Sequence, residues 1–337
     1  MRAVVSTDGV VHTVEKEAPV LRPHFVLVDT VYSAISPGTE MSMQQKVQGP
    51  FALGYSAAGI VREVGEGVGH LRPGDRVACY GAPFVKHASL LAVPKHLAAP
   101  LPPQVSLREA SFAGLGAIAI HALRQARLQF GERVVVVGLG ILGQIIAQVA
   151  HAAAYTVIGY DLLPERCAML KQAGVEAAYA DPQELEAAIR ELTNGEGADA
   201  VLLCAGGSAT DLIDKSLGWL RDRGKVVIVG DLKMEFDRER MFAKEAEVLI
   251  SRAGGPGRYA RDYEVGGFDY PLGYVRWTEG RNVAEYVRLL AAGRIRVDPL
   301  ISAELPMEKA DIAYARYKQS PKDTIGVVLR YADAGRS

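Results

Sequence analysis

Cysteine is scarce in this chain, and the three present (Cys79, Cys167 and Cys204) lie far apart with no C-x-x-C pair. That argues against a disulfide framework and against a cysteine-built zinc site. Charge of one sign is also lacking. The formal net charge is −1 with no basic block, so neither nucleic acid nor an anionic membrane is an implied partner. Long apolar runs are missing too. The opening MRAVVSTDGVVHTVE has no apolar core and starts like a strand, so no signal peptide is expected. The apolar stretch around Gly138 is broken by glycines and is not a membrane span. What remains is 337 residues, 49% hydrophobic and 23% charged. That is room for two domains with proper cores, in a soluble protein whose default location is the cytoplasm.

The strongest positive signal sits mid-chain. Arg133 to Asp161 reads RVVVVGLGILGQIIAQVAHAAAYTVIGYD. A β-branched run leads into Gly138, Gly140 and Gly143, spaced G-x-G-x-x-G, then an apolar helix-compatible stretch and a second strand ending at Asp161. Gly138 permits the tight turn, Gly140 lets backbone approach a pyrophosphate, and Gly143 allows close helix–sheet packing. The intervening Leu139, Ile141 and Leu142 lend their N–H groups to the phosphates at the positive end of the helix. Asp161 is placed to accept from an adenosine ribose, and its charge repels a 2′-phosphate, which favours NAD(H) over NADP(H). Arg166, five residues on, is either a phosphate contact or a surface residue of the next helix.

Short strands and glycine turns fill the region before the fingerprint. Examples are Val26 to Ile35 and Gly59 to Val77 (GIVREVGEGVGHLRPGDRV), and together they suggest a small barrel-like β domain. After it, β and α alternate: a strand at 200–204 ending at Gly206-Gly207, a helix at 212–220, a strand at 225–229 ending at Gly230, and a last strand at 247–251. That rhythm implies a parallel, doubly wound sheet. Gly206, Gly207 and Gly230 are candidate walls for the nicotinamide half, or ordinary turn glycines. The tail holds a helix at 281–293 and a closing strand at 325–331. Front and tail therefore fold together around an inserted dinucleotide domain.

These residues resemble the medium-chain dehydrogenase/reductase superfamily, which includes the zinc alcohol dehydrogenases and quinone reductases. The resemblance rests on GIVREVGEGVGHLRPGDRV, on VVVVGLGILGQ with Asp161, and on DPLISAELPMEKADIAY followed by IGVVLR. It implies an α/β fold, a Rossmann sheet (residues 118–265) inserted in a GroES-like β-rich catalytic domain (residues 1–117 and 266–337). It also implies an NAD(P)-dependent oxidoreductase working as a homodimer or homotetramer through the edge strand at 247–251. The tail segment GRYARDYEVGGFDYPLGYVRWTEGRN resembles zinc-less members of carbohydrate and polysaccharide biosynthesis.

The departures from the family pattern concern zinc. Zinc-dependent members use a Cys before a G-T-D-like turn, a His-Glu pair after a glycine, and a later Cys or Asp. Here the first region reads AISPGTE, with Ser36 or Pro37 at the cysteine position, and the second reads LGYSAAG, with Tyr55 and Ser56 for His and Glu. Gly114 lies near the third position, and only Cys79 lies near the missing structural-zinc lobe. The expectation is an enzyme without metal.

Hydride transfer at a carbinol still needs a proton partner and something to steady the alkoxide. The candidates are Tyr55 as donor to a carbonyl oxygen, Thr39 as relay, Ser36, and Glu40 as base. The structural alternative has Tyr55 filling the metal's volume and Glu40 in a buried salt bridge. His87 and His121 are general-acid candidates by residue type, or structural histidines. The cluster Arg258, Tyr259, Tyr263, Tyr270, Tyr274, Arg276 and Trp277 suits a polar-ligand pocket or a subunit interface. The expected function is zinc-independent hydride transfer to or from a sugar, polyol or related alcohol/ketone. Metal-free C=C or quinone reduction, and non-catalytic NAD(H) binding, are the alternatives.

Overall fold

The computed structural model describes residues 1–206 and 211–331. The chain divides into two compact units, Met1–Ala117 with Ala253–Ser337, and Ile118–Arg252. Residues 253–265, assigned to the inserted domain by sequence, belong with the first unit. Their polar groups are committed there: Gly254 N–H donates to the Tyr80 hydroxyl (2.9 Å) and Asn282 Nδ2 donates to the Gly254 carbonyl (2.8 Å).

The Ile118–Arg252 unit is built on one all-parallel six-stranded sheet. Its order is Ala178–Tyr179, Thr156–Tyr160, Arg133–Val137, Ala198–Leu203, Leu220–Ile228 and Glu247–Ile250. In sequence terms this is order 3-2-1-4-5-6, the doubly wound Rossmann arrangement. Central strands covered on both faces must be apolar throughout. Val134, Val135 and Val136 are fully buried, as are Val201, Leu202 and Leu203. The order reverses beside the Arg133–Val137 strand, which opens the crevice where such sheets bind ligands, and the glycine fingerprint leaves this strand.

The other unit is β-rich and GroES-like. Its larger sheet runs Ile301–Pro306, Gly326–Arg330, Phe25–Ala34, Ser56–Val64, Arg76–Tyr80 and Ala98–Pro100, with Leu90–Pro94 also pairing Phe25–Ala34. A smaller sheet holds Val10–Glu15, Arg2–Thr7 and Pro50–Ala52. The tail joins the front by direct pairing, Val328 opposite Ala34 and Leu329 opposite Ser33. That register sets Ile35, one residue beyond the end of its strand, in a buried core with the tail's Met307, Tyr314 and Tyr331. Among the described residues, no helix is long and apolar enough to cross a membrane.

Candidate functional site

Three hydroxyl side chains from separate local structures meet in the β-rich unit. Ser36 caps the start of the Pro37–Lys46 helix, Thr39 lies in its first turn, and Tyr55 precedes the Ser56–Val64 strand. The Tyr55 hydroxyl donates to Ser36 Oγ at 2.6 Å, with the Thr39 side chain nearby. Its ring stands edge-on to Tyr80, centroids 6.0 Å apart. Burial pushes the Tyr55 phenol up to about 12, with the Ser36 hydrogen bond opposing and the nearby Glu40 charge adding to the rise. At neutral pH Tyr55 therefore keeps its proton and acts as a hydrogen-bond donor.

Glu40 faces away from this role. Its side chain is 2% exposed and pairs with His87, Oε2 to Nε2 3.0 Å, while Oε1 accepts the Ser36 N–H at 2.8 Å. Tyr314 donates to Oε2 as well. His87 is fully buried, with Nδ1 2.7 Å from Ser33 Oγ, and Ser33 Oγ lies 2.9 Å from the Tyr331 hydroxyl. Glu40 and His87 are thus buried against each other, and a carboxylate so enclosed has no face for a reacting proton. His87, a general-acid candidate by type, is inside the same network. His121 lies in the other unit, 6% exposed, where burial lowers its pKa to about 4. No sequence signal foretold Ser33, Tyr314 or Tyr331 as partners, because strand pairing between front and tail brings them in.

The zinc implied by the family pattern does not fit these residues. Zinc takes three or four thiolate, imidazole or carboxylate donors in a tetrahedron, and the corresponding positions offer hydroxyls and a glycine. Ser56 Oγ is already committed, donating to the Ser111 carbonyl (2.6 Å) and accepting the Gly114 N–H (2.7 Å). A Cβ at Gly114 would meet the Tyr80 ring at 2.8 Å and Ser56 Cβ at 2.9 Å, so a third ligand has no room there. Glu40 is held as described. Among the described residues, no three His, Cys, Asp or Glu side chains gather to hold a metal.

The Tyr/Arg/Trp cluster separates in the structure. Tyr274 is 91% exposed, whereas Arg258 is buried between Glu264, to which it donates, and Glu279 (4.0 Å). Glu279 is fully buried, and neither of its oxygens has a hydrogen-bond partner among the described residues. Burial, then the neighbouring Glu264, raise its pKa to about 8, with Arg258 pulling the other way. The sign follows from linkage. The folded state holds this proton more tightly than the unfolded chain, so the group favours folding below its ordinary range. That stability is lost as pH rises from about 4.5 through about 8. Glu279→Gln should flatten the fall in melting temperature across that window and raise it at pH 8. Melting curves with equal pH slopes in the two proteins would exclude the assignment.

In the Ile118–Arg252 unit the fingerprint residues converge. Gly138 has φ +89°, and a Cβ on Gly143 would sit 1.9 Å from the Gly138 carbonyl oxygen, whereas a Cβ on Gly140 meets nothing within 4 Å. The first-turn N–H groups of Ile141, Leu142 and Gly143 face no capping side chain, which leaves them for an anion. Asp161 does more than await a ribose. It accepts the Leu139 N–H (2.7 Å) and the Leu163 N–H (2.9 Å), and Arg166 lies 3.3 Å away as its ion-pair partner. Arg166 is thus folded back on Asp161 and is not a free surface residue. Gln144, missed from sequence, ties the loop further, donating to the Leu139 (3.3 Å) and Arg166 (2.8 Å) carbonyls. Gly206 has only an ordinary contact, Asp231 O at 3.7 Å, but a Cβ on Gly230 would lie 2.0 Å from Ala205 O, so packing alone accounts for that glycine. Gly207 lies outside the described residues.

Comparison with known proteins agrees with both halves. Residues 22–119 match the alcohol dehydrogenase GroES-like domain, and residues 142–265 match the zinc-binding dehydrogenase family. The chain is 30% identical to a sorbitol dehydrogenase of Halalkalibacterium halodurans, over 76% of this chain and 85% of that protein. It is 25% identical to a 2-dehydro-3-deoxy-L-galactonate 5-dehydrogenase of Pseudoalteromonas atlantica, over 88% and 89%. The solved alcohol dehydrogenase from Thermus sp. ATN1 superposes with a TM-score of 0.80 at 26% identity, over 98% of this chain and all of that one. Two solved structures of this fold are cofactor complexes, a putative zinc-binding dehydrogenase from Sinorhizobium meliloti 1021 bound to NADP and an alcohol dehydrogenase from E. coli CFT073 complexed with NADH. The chain belongs to the medium-chain dehydrogenase/reductase superfamily and is an oxidoreductase.

Proposed function

We propose that this chain is a zinc-independent, NAD(H)-preferring dehydrogenase of a sugar, polyol or related alcohol/ketone. The observation that carries the reading is the gathering of Ser36, Thr39 and Tyr55 hydroxyls where relatives place zinc ligands. The nicotinamide, when bound, supplies or takes the hydride. Ser36, backed by the Tyr55 hydroxyl that donates to its Oγ, donates a hydrogen bond to the substrate oxygen as its charge develops, the task metal performs in relatives. With its phenol near 12, Tyr55 is a poor proton taker, and the exposed Thr39 is the route by which the hydroxyl proton leaves. Sugar and polyol substrates are favoured by the relatives' names, a sorbitol dehydrogenase among them. Asp161 favours NAD by repelling a 2′-phosphate, and its ion pair with Arg166 weakens that repulsion.

The same reading has the chain working as a homodimer or homotetramer. The outer strand Glu247–Ile250 has an open edge, with Ile250 60% and Phe242 71% exposed, and an open apolar edge favours pairing.

One panel tests the whole. Turnover of sugars and polyols should be seen with NADH or NAD, be weaker with the phosphorylated cofactor, survive a strong zinc chelator, and come from protein that carries no stoichiometric zinc and is larger than a monomer by light scattering. Turnover confined to enones or quinones would replace the reading with C=C reduction. Tight NAD(H) binding without any turnover would replace it with a sensing role, and chelator-sensitive activity would end the metal-free part.

A further inference from the structure

The start of the Pro37–Lys46 helix is capped in an unusual way. A serine at the N-cap ordinarily turns its hydroxyl onto an N–H two or three residues ahead. Ser36 holds that position, yet its side chain makes no capping bond. The Glu40 carboxylate instead reaches back to the Ser36 N–H at 2.8 Å, the acidic half of a capping box moved one residue along. The Ser36 hydroxyl, released from the cap, accepts from Tyr55 at 2.6 Å.

The carboxylate that makes this possible is gripped from two further segments, one of them held in turn. His87 Nε2 lies 3.0 Å from Oε2, Tyr314 donates to the same oxygen, and His87 is itself held by Ser33 (2.7 Å), which meets Tyr331 (2.9 Å). The helix it caps buries only Glu40 and Gln44. A ten-residue helix with no apolar face does not need a buried five-residue network merely to begin. What that network does hold is the direction of the Ser36 side chain.

We propose that Glu40, fixed by His87 and Tyr314, is the positioning residue of the hydroxyl cluster. It takes over the helix cap, so that Ser36 stays turned to Tyr55 and its own proton is aimed outward at the substrate oxygen. The Tyr55 donation polarises the Ser36 hydroxyl and makes it the stronger donor. This inference rests on the hydride-transfer reading above, in which Ser36 touches substrate.

The test is a double-mutant cycle on Ser36→Ala and Glu40→Ala, read by kcat, KM and melting temperature. Each single change should lower kcat about tenfold or more with KM for NADH kept within about twofold, and the double variant should be no slower than the worse single one, since both remove one device. Glu40→Gln, which keeps an oxygen for the Ser36 N–H, should recover most of the loss; a base would not be rescued this way. His87→Asn should behave like Glu40→Ala. Additive losses, or Glu40→Gln as slow as Glu40→Ala, would overturn the proposal.

The melting temperature reads the same device without activity. Ser36→Ala should leave it within about 0.5 °C, whereas loss of a true N-cap lowers it by about 1–3 °C in a chain of this length. Glu40→Ala should lower it. A wild-type protein inactive on every alcohol and ketone would end the hydride-transfer reading, while this division of the cap between Ser36 and Glu40 would still stand or fall on the melting data. A drop of N-cap size in Ser36→Ala would overturn it.

Discussion

Replacing Tyr55 by phenylalanine should lower kcat about a hundredfold or more, with KM for the nicotinamide cofactor unchanged. The size follows from what is removed: the hydroxyl that orients and polarises the Ser36 donor, and one preorganised donor at a developing oxyanion contributes on the order of 10²–10³ in rate. The variant keeps the ring and its edge-on contact with Tyr80, so packing is preserved and only the hydroxyl is lost. Because the phenol is pushed up to about 12 by burial, the wild-type rate should show no ionisation of Tyr55 below about pH 10. Single-turnover hydride transfer, followed at the nicotinamide absorbance across pH, checks both statements. Wild-type kinetics in Tyr55→Phe would return Tyr55 to a space-filling role.

The second large effect is expected from two glycines that look alike in sequence. Gly143→Ala puts a Cβ 1.9 Å from the Gly138 carbonyl. Helix and turn must move apart, at a cost of about 2–4 kcal/mol in stability. Gly140→Ala puts its Cβ where nothing lies within 4 Å, so melting should be nearly unchanged. The added methyl would nevertheless stand where a pyrophosphate approaches the backbone, and affinity for NADH should fall tenfold or more. Thermal melts beside NADH fluorescence titrations separate the two. Equal melting temperatures for both variants would contradict the close packing at Gly143, and undiminished NADH binding by Gly140→Ala would remove the phosphate from this turn.

Much of the fold was legible residue by residue. The valine run before Gly138 and the acid at 161 have local causes, a buried parallel strand and a tight turn into a helix, so they can be read in a window of thirty residues. The hydroxyls and glycine at the family's zinc-ligand positions were legible for the same reason, since ligands sit in short motifs. The helix expected at 281–293 is observed as Glu279–Ala291, shifted because Thr278 caps it by accepting the Arg281 N–H (3.3 Å). The second domain boundary, at 252 and not 265, was illegible because it depends on which unit takes up the hydrogen bonds of Gly254.

The sequence alone determined the cofactor-binding half, the family and the loss of zinc-ligand residue types, because each is a local pattern imposed by backbone geometry or donor chemistry. Tertiary structure decided the rest. Asp161 turned out to anchor its own glycine loop and pair with Arg166, and Glu40, a candidate base on paper, became the locked cap behind Ser36. The Glu40 role depends on partners more than forty residues away, His87 and Tyr314, with Tyr331 behind them. Strand pairing between front and tail is what brings such groups within hydrogen-bond reach.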